Sequence, residues 1–587
     1  MSTPVLDLFL AQALGSPGTV ALVVGRRSLT YGELERASAE LAGRLRARGA
    51  GPGSTICLHL HQSAQTVIGM LAALRIGAGW VVVEPDHPAS RLRTLLADVD
   101  RVVVVRSSQS AAEYPLWTDV VDVDAAGADT AEVVPVSAQA PAYLVFTSGS
   151  TGTPKAVVVS RGQLATTVAA RDVWCRPGRP VFLLVMSMSF DGAIGDLFWT
   201  LGQGGTTVFP DRDQLPNPVE VARLAATHGA SHTFVVPSFY RLLLDQADDL
   251  ASLAIAVVGG EACTAELARR HRETLPHTEL FNVYGPTETV VSCTVQRVDT
   301  SAPTVPIGKP CPGARAHVLD ERLRPTPDGQ TGELYISGFV ATGYAARPAL
   351  TAERFVADPA GRRGARMYRT GDLASVNDRG ELEFHGRVDH QVKIRGSRVE
   401  LGEVEHVLED HPAVRQAVVA ARDARLVAFL VPEPGVAWPS TLKLRDFCRE
   451  HLMDQAIPER FERIERLPLT ATGKADRTAL AQRIPSEPGS PGPDRPRWSA
   501  AQVAVADAWA AVLGHAECDL DDNFFVVGGT SLKLIDLYER LDERWPGAIE
   551  IAELFDLVTI GKQAEAVARG TGTGEPARLG TRRDFEV

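Results

Sequence analysis

The feature that most limits how this chain can fold is an alternation of helical patterns with short runs rich in Val, Ile and Leu, which extends from residue 1 to about 386. The segments 54–60 (STICLHL) and 253–258 (LAIAVV) are two such runs. Apolar runs of this length between helices are typical of strands that helices cover on both faces. We therefore predict an α/β fold for a large N-terminal domain over 1–386.

The pattern changes twice beyond that domain. Strands resume in 387–482, which we predict to be a small α+β subdomain. Segment 483–497 is rich in Pro, Gly and Ser and is predicted to be a solvated linker. An amphipathic pattern then begins a small helical-bundle domain over 498–570, and 571–587 is predicted to be a disordered tail.

Charge and composition exclude several classes of function. The net charge of −12 and the lack of a basic block argue against a nucleic-acid partner. No run of eighteen apolar residues is present, and the segment after Met1 does not resemble a signal peptide, so we expect neither a membrane span nor secretion. The seven cysteines are scattered and odd in number, which predicts buried thiols in a reducing cytoplasm.

A loop of small and hydroxyl-bearing residues, TSGSTGTPK (147–155), follows the apolar run 143–146. Small residues let several backbone N–H groups point at one anion, and the hydroxyls and Lys155 add donors and positive charge. This composition suits a phosphate-binding loop, although the lysine follows a proline and the usual nucleotide-loop motif does not fit. From these residues alone, an ordinary polar surface turn remains the alternative.

Further motifs follow in a fixed order along the chain. They are LTYGEL (29–34), FD (190–191), NVYGPTE (282–288), GELY (332–335), YRTGDL (368–373), GRVDHQVKIRG (386–396) and PLTATGK (468–474). Together with the loop at 147–155, this set resembles the adenylation domains of nonribosomal peptide synthetases, within the adenylate-forming superfamily. The resemblance covers nearly the whole chain.

The resemblance implies that an amino-acid carboxylate attacks the α-phosphate of ATP and that pyrophosphate leaves. It assigns catalysis to Lys474, Glu288 and Thr287, with Glu288 also holding Mg²⁺, and it places Tyr284 on adenine and Asp372 on the ribose hydroxyls. The full set that it assigns to ATP is Thr147, Ser148, Gly149, Ser150, Thr151, Gly152, Lys155, Tyr284, Asp372 and Arg387. Read without the resemblance, Glu288 is a helix cap and Asp372 a turn residue.

The same resemblance implies a hinge at Asp389. The small subdomain would swing about this residue after adenylation, which would withdraw Lys474 and open a path for a thiol.

The segment DDNFFVVGGTSLKLIDL (521–537) resembles the carrier-protein motif in which a serine at a helix start takes a phosphopantetheine arm. Ser531 is that serine, and the modification implies a phosphopantetheinyl transferase as a partner. Helix capping by Ser531 is compatible with this role. Val527 and Thr530 depart from the usual motif and bear on how a transferase recognises the site.

The amino-acid pocket is assigned by the same resemblance, with Asp191 pairing with the α-ammonium group. Its other wall residues would be Gly192, Gly195, Val235, Val257, Gly259, Val283, Val291 and Ser292. Three glycines leave volume, the valines are apolar and no member is charged, so we predict a large neutral side chain. Tryptophan comes first, then tyrosine or phenylalanine, with large aliphatic residues and a one-residue shift of the alignment at Val235 as alternatives.

Two expected modules are missing: no condensation motif and no thioesterase elbow is present. We therefore expect a loading didomain of antibiotic or other secondary metabolism that serves a downstream synthetase module or a tailoring oxidase. An MbtH-like helper protein is a common partner in the family. Two rival functions stay open, an acyl- or aryl-CoA ligase and an inactive scaffold.

Overall fold

The computed structural model divides the chain into two compact units, Met1–Glu400 and Leu401–Val587. The residues that it describes are 5–25, 27–85, 89–107, 119–125, 129–147, 154–176, 178–211, 217–388, 391–394, 397–422, 425–468, 475, 477–484, 498–513, 518, 520, 522–525, 527, 529, 531–555 and 557–571.

Helices and strands alternate through most of the first unit, which confirms the predicted α/β class. The helices are α1 Val5–Gly15, α2 Tyr31–Ala47, α3 Ala64–Arg75, α4 Ala89–Leu96, α5 Arg161–Ala170, α6 Asp172–Cys175, α7 Asp191–Gly202, α8 Pro218–His228, α9 Pro237–Leu243, α10 Ala265–Thr274 and α11 Pro348–Arg354. The strands are β1 Val20–Val24, β2 Arg27–Thr30, β3 Thr55–His59, β4 Gly79–Val82, β5 Val102–Arg106, β6 Val120–Asp122, β7 Pro141–Thr147, β8 Lys155–Ser160, β9 Val181–Leu184, β10 Thr206–Phe209, β11 His232–Val235, β12 Ile255–Gly259, β13 Glu279–Tyr284, β14 Thr294–Arg297, β15 Lys309–Pro310, β16 Arg315–Leu319, β17 Gly332–Ser337, β18 Gly343–Tyr344, β19 Phe355–Ala357, β20 Arg366–Val376, β21 Leu382–Arg387, β22 Gln391–Ile394 and β23 Ser397–Glu400.

Two large sheets carry the candidate site. The first has the order β15-β14-β13-β12-β11-β9-β10-β1-β2, and its central strands from β13 to β1 are parallel. The second has the order β18-β8-β7-β4-β3-β5-β6. Strands β16, β17, β19, β20 and β21 form an antiparallel sheet, and β22 pairs with β23 as a hairpin.

The central strands of the first sheet are buried on both faces, as their apolar runs predict. Phe234 and Val257 lie side by side in register and belong to one apolar cluster. The next residues, Val235 and Val258, belong to a different cluster. Since side chains alternate along a strand, these two clusters lie on opposite faces of the sheet.

The second unit begins with an α+β region and ends with helices. Its elements are α12 Leu401–Glu409, β24 Val414–Arg422, β25 Arg425–Pro432, α13 Thr441–His451, β26 Arg460–Arg463, α14 Arg477–Arg483, α15 Ala500–Leu513, α16 Ser531–Arg544, α17 Ile551–Leu554 and α18 Ile560–Thr571. The last four helices enclose an apolar core in which the Trp509 indole donates to Gln563 Oε1 at 2.7 Å. This agrees with the predicted helical bundle.

The division between the units falls after Glu400, later than the predicted boundary at 386. Strands β22 and β23 therefore group with the first unit, where the Lys393 ammonium lies 5.5 Å from the centre of the Tyr284 ring. Helices α14 and α18 each extend one residue past a predicted boundary. Most of the predicted linker and tail, 485–497 and 572–587, lies outside the described residues.

The seven cysteines are buried and free, as predicted from their scatter. Burial raises the pKa of the Cys57, Cys263 and Cys448 thiols to about 12, so these groups are unreactive at neutral pH. Among the described helices, none is both long enough and apolar enough to cross a bilayer.

Candidate active site

The two strands that flank the phosphate-loop motif pair with each other. Thr147 at the end of β7 lies opposite Lys155 at the start of β8. The Thr147 hydroxyl is buried and has no hydrogen-bond partner among the described residues. A buried hydroxyl without a partner is costly unless a ligand completes it, and a phosphate oxygen would do so. The predicted loop residues Ser148, Gly149, Ser150, Thr151 and Gly152 lie outside the described residues.

Lys155 and Glu288 meet at the ends of neighbouring sheets. Glu288 is fully buried in the helical turn Thr287–Thr289, and the Lys155 Nζ lies 3.5 Å from its Oε1. The Tyr344 hydroxyl donates to the same carboxylate at 2.7 Å, and the Lys155 Nζ lies 4.9 Å from the centre of the Tyr344 ring. The carboxylate is therefore held in place beside a positive charge.

The backbone after this turn is strained. Val290 and Val291 have φ values of 56° and 75°, and a β-branched side chain rarely adopts this conformation. Gly285 lies directly beneath, where a Cβ would collide with the Val291 carbonyl oxygen. Strain of this kind persists only where the surrounding structure enforces it, and it is commonest at functional sites.

Tyr284, Asp372 and Arg387 come together from three strands. The Tyr284 hydroxyl donates to one oxygen of Asp372, and the Arg387 guanidinium donates to the other. Asp372 and Arg387 are paired residues of β20 and β21, so the sheet register brings them together. Burial, followed by the charge of Asp372, raises the pKa of Tyr284 well above its usual value, and its hydroxyl therefore stays a donor.

Asp191 begins α7 and lies next to the turn that holds Glu288. Its Oδ2 atom is buried and has no hydrogen-bond partner in the described part of the chain. Burial, followed by the charge of Glu288, raises the pKa of the Asp191 carboxyl to about 6, whereas a hydrogen bond from Thr287 opposes this shift. Asp191 therefore carries an oxygen that an ammonium group would satisfy.

The spaces above the three predicted pocket glycines are occupied by other side chains. A Cβ at Gly192 would lie 3.0 Å from Met186 Cε and 3.2 Å from Phe234 Cε1. A Cβ at Gly259 would lie 2.8 Å from Val283 Cγ2 and 3.1 Å from Phe234 Cε2. At Gly195 a Cβ would collide with the Arg171 guanidinium. The Cβ positions of the three glycines therefore lie against other side chains and not in open space.

Phe234 therefore lies where the sequence placed Val235. Its ring approaches both Gly192 and Gly259, while Val235 faces the other side of the sheet. These contacts favour the alternative of a one-residue shift of the alignment at this strand, and the pairing of Phe234 with Val257 on the neighbouring strand is the sequence-level signal for it. Val257 and Val283 share the Phe234 cluster, and Val291 and Ser292 are buried.

The described residues suit ATP with Mg²⁺. Thr147 and Lys155 offer a donor and a positive charge to phosphates, and Glu288 supplies one carboxylate. The described residues contain no group of three or more His, Cys, Asp or Glu that could hold a metal ion. Mg²⁺ usually binds one or two carboxylates together with substrate phosphates and water, and Glu288 could supply one of them.

Ser531, the predicted attachment residue, lies at a helix start. Ser531 is the first residue of α16, and Gly529 just before it fits closely against Phe524, where a Cβ would collide with the ring. Lys533 on the same helix lies 3.0 Å from the Glu459 carboxylate of the α+β region. The predicted catalytic residue Lys474 and the predicted hinge residue Asp389 lie outside the described residues.

Comparisons with known proteins agree with this geometry. Residues 9–345 match the family model of AMP-binding enzymes, 403–474 that of the AMP-binding enzyme C-terminal domain, and 503–567 that of the phosphopantetheine attachment site. Novobiocin biosynthesis protein H of Streptomyces niveus is 36% identical, with 92% of each chain covered.

Longer synthetases match over only part of their length. The probable non-canonical nonribosomal peptide synthetase CymA of Salinispora arenicola is 37% identical over 97% of this chain and 7% of its own. Phosphinothricin tripeptide synthetase PhsC of Streptomyces viridochromogenes is 35% identical over 94% of this chain and 52% of its own. The present chain thus spans about half of the second relative and a small part of the first.

A solved structure also covers both units. Holo-PA1221, described as an NRPS protein containing adenylation and PCP domains, superimposes with a TM-score of 0.82 at 27% identity and covers 98% of this chain and 97% of its own. Such domains use ATP with Mg²⁺ and carry phosphopantetheine covalently. The chain belongs to the AMP-binding enzymes, and it is an ATP-dependent ligase of the nonribosomal peptide synthetase type that combines an adenylation domain with a carrier domain.

Proposed function

We propose that this protein activates a neutral α-amino acid as its aminoacyl-AMP and transfers the aminoacyl group to a phosphopantetheine arm on Ser531. The observation that carries the proposal is the buried, unpartnered Oδ2 of Asp191, beside the Glu288 turn. An α-ammonium group would satisfy this oxygen and restore its charge. An acyl or aryl acid has no such group and would leave the oxygen unsatisfied, at a cost of about 1–3 kcal/mol.

The chain's part in adenylation is to position reactants and to stabilise charge. Asp191 holds the α-ammonium so that the substrate carboxylate faces the α-phosphate, an oxygen of that carboxylate attacks phosphorus, and pyrophosphate leaves. Thr147 and Lys155 would offer a hydroxyl and a positive charge to phosphate oxygens, and Glu288 would hold the Mg²⁺ that offsets phosphate charge.

The pair that Asp372 forms with Arg387 gives the nucleoside end of the site a fixed carboxylate. The sequence resemblance assigns the ribose hydroxyls to Asp372, and a buried carboxylate is a suitable acceptor for them. The roles of Lys474 as a bridge between carboxylate and phosphate and of Asp389 as a hinge remain part of the proposal. In the second step the thiol of the arm attacks the acyl carbonyl and AMP leaves.

The identity of the amino acid is the finer part of the proposal. Tryptophan was favoured because three glycines were expected to leave an open volume. Met186, Phe234, Arg171 and Val283 occupy those spaces, which supports a neutral side chain smaller than tryptophan. Tyrosine, phenylalanine and the larger aliphatic residues remain to be compared by experiment.

A carrier domain implies a phosphopantetheinyl transferase and a downstream synthetase module. An MbtH-like helper protein and a tailoring oxidase are further proposed partners, on the strength of the sequence resemblance alone.

Amino-acid-dependent ATP–pyrophosphate exchange, measured across the proteinogenic amino acids with and without a helper protein, tests the first step. We expect exchange with one or a few neutral amino acids. Mass spectrometry of the pantetheinylated protein tests the second step: Ser531→Ala should keep exchange and lose the loaded acyl group. Exchange with aryl or fatty acids but with no amino acid would refute the proposal.

A further inference from the structure

A buried guanidinium lies under the first turns of α7. Arg171 is 1% exposed, and a Cβ at Gly195 would collide with its Nη2, Cζ and Nη1 atoms. Gly195 is a wall residue of the proposed amino-acid pocket, so Arg171 occupies the space that a side chain at position 195 would fill. None of the predicted wall residues other than Asp191 is charged, yet the charged Arg171 side chain lies directly against Gly195.

The guanidinium is held by two neighbours. Its Nε donates to Asp196 Oδ1 at 2.5 Å, and its Nη1 donates to the Thr167 carbonyl oxygen at 2.9 Å. These bonds fix the plane of the group and leave Nη2 as the nitrogen closest to the Cβ position of Gly195. The ion pair with Asp196 makes this part of the wall neutral overall.

A second buried polar group, the Tyr143 hydroxyl, lies within electrostatic range of both Arg171 and Asp191. The Tyr143 hydroxyl is buried and finds no hydrogen-bond partner in the described chain. Burial and then the charge of Asp191 raise its pKa, while the charge of Arg171 lowers it, so the hydroxyl lies within electrostatic range of both. Buried polar atoms without partners cost free energy unless a ligand completes them.

We propose that Arg171, together with Tyr143, determines the specificity of the amino-acid pocket by selecting a neutral side chain that ends in a hydrogen-bond-accepting oxygen. The oxygen accepts from Nη2 of Arg171, while Phe234 and Val257 pack on the apolar part of the side chain. A carboxylate is disfavoured because Asp196 already neutralises the arginine. An apolar end would leave the buried Tyr143 hydroxyl, which has no partner in the described chain, unsatisfied.

This inference rests on the proposed function and names the substrate class of the same site. The test is ATP–pyrophosphate exchange with pairs of amino acids that differ by one oxygen or amide: threonine against valine, tyrosine against phenylalanine, and glutamine against norleucine. We expect the wild-type protein to favour the oxygen-bearing member of its best pair by roughly 10-fold or more in kcat/KM.

The substitution Arg171→Met should abolish or reverse that preference. Because a lone Asp196 charge could prevent folding, the double variant Arg171→Met/Asp196→Asn removes both charges and tests the same point. Arg75→Met is a matched control, since Arg75 is also buried and pairs with a carboxylate, Glu35, on helices away from the pocket. The control should keep the wild-type preference.

The outcomes separate the two proposals. Exchange with amino acids that favours the apolar member, or a preference that survives in the double variant, overturns the role of Arg171 and leaves the proposed function standing. Exchange with no amino acid in the wild-type protein overturns the proposed function and this inference with it. Loss of the preference in the double variant but not in Arg75→Met supports the assignment.

Discussion

At the nucleotide end of the site the polar side chains already pair with one another: Tyr284 and Arg387 with Asp372, and Lys155 with Glu288. At the amino-acid end, Asp191 keeps a buried oxygen without a described partner, and the spaces over the glycines are filled by distant side chains. A paired group keeps its geometry before substrate arrives, which suits a cosubstrate that never changes. The Asp191 oxygen without a hydrogen-bond partner, and the side chains packed against the pocket glycines, suit discrimination among amino acids.

The two ends also differ in how far apart in the sequence their residues lie. Tyr284 and Glu288 lie in one short motif, and Asp372 and Arg387 are paired strand neighbours. Arg171, Met186 and Phe234 reach the pocket from separate elements, and no short motif joins them. Substitutions at the two ends should therefore have different kinds of effect.

The largest effect is expected from Glu288→Gln. The change removes the carboxylate charge that faces Lys155 and would hold Mg²⁺, so kcat/KM in ATP–pyrophosphate exchange should fall by about 100-fold or more for every amino acid. Glu321→Gln, at an exposed position, is the control and should leave exchange unchanged. If the fall in kcat/KM differed strongly between amino acids, Glu288 would also act in amino-acid selection, and the nucleotide and amino-acid ends would not be separate.

Asp191→Asn comes next. It should raise the KM for the amino acid by roughly 10- to 100-fold and leave ATP binding unchanged, since it removes one charge-assisted pair. Separate titrations of amino acid and ATP measure the two effects. An equal loss for both substrates would show that Asp191 does not belong to the amino-acid end alone.

The same residue predicts a pH dependence. The pKa of the Asp191 carboxyl is raised to about 6, so below that pH the group is protonated and neutral, and it loses its charge pair with the ammonium. In the wild-type protein kcat/KM for the amino acid should decline as the pH falls through about 6. Asp191→Asn should lack this inflection, and a profile shared by both proteins would assign it to another group.

Two neighbouring substitutions on β11 test which residue of this strand lines the amino-acid pocket. Phe234→Ala should open space beside Gly192 and Gly259 and shift the relative kcat/KM toward larger amino acids by about 10-fold. Val235→Ala should lower the free energy of unfolding by ~1–3 kcal/mol and leave the preference unchanged, because Val235 packs on the other face. If Val235→Ala changed the preference and Phe234→Ala did not, Val235 and not Phe234 would line the pocket.

The smallest effect is expected from Tyr284→Phe. The change removes one hydrogen bond to Asp372 but keeps the ring and the Arg387 contact, so the KM for ATP should rise by only about 2- to 10-fold. Exchange measured at saturating amino acid and varied ATP checks this. A change in amino-acid preference would contradict the separation of the two ends.

Much of the fold was predictable because the signals are local. Apolar runs and their spacing identified α/β architecture, and the motif order identified the family. The small subdomain is predicted to begin at 387, whereas the division between the compact units falls after Glu400, since the β22–β23 hairpin groups with the first unit. Where a hairpin between two domains packs depends on tertiary contacts that no local pattern encodes.

The sequence by itself determined the family and the candidate residues for the nucleotide end and for the carrier serine, because short motifs place those groups on strand ends and at a helix start. Only the tertiary structure decided what fills the amino-acid pocket. A glycine shows that a side chain is absent at its own position, but it does not show which distant group takes the space. At Gly195 that group is Arg171, which lies between α5 and α6 and whose charge is stabilised by the buried Asp196 of α7.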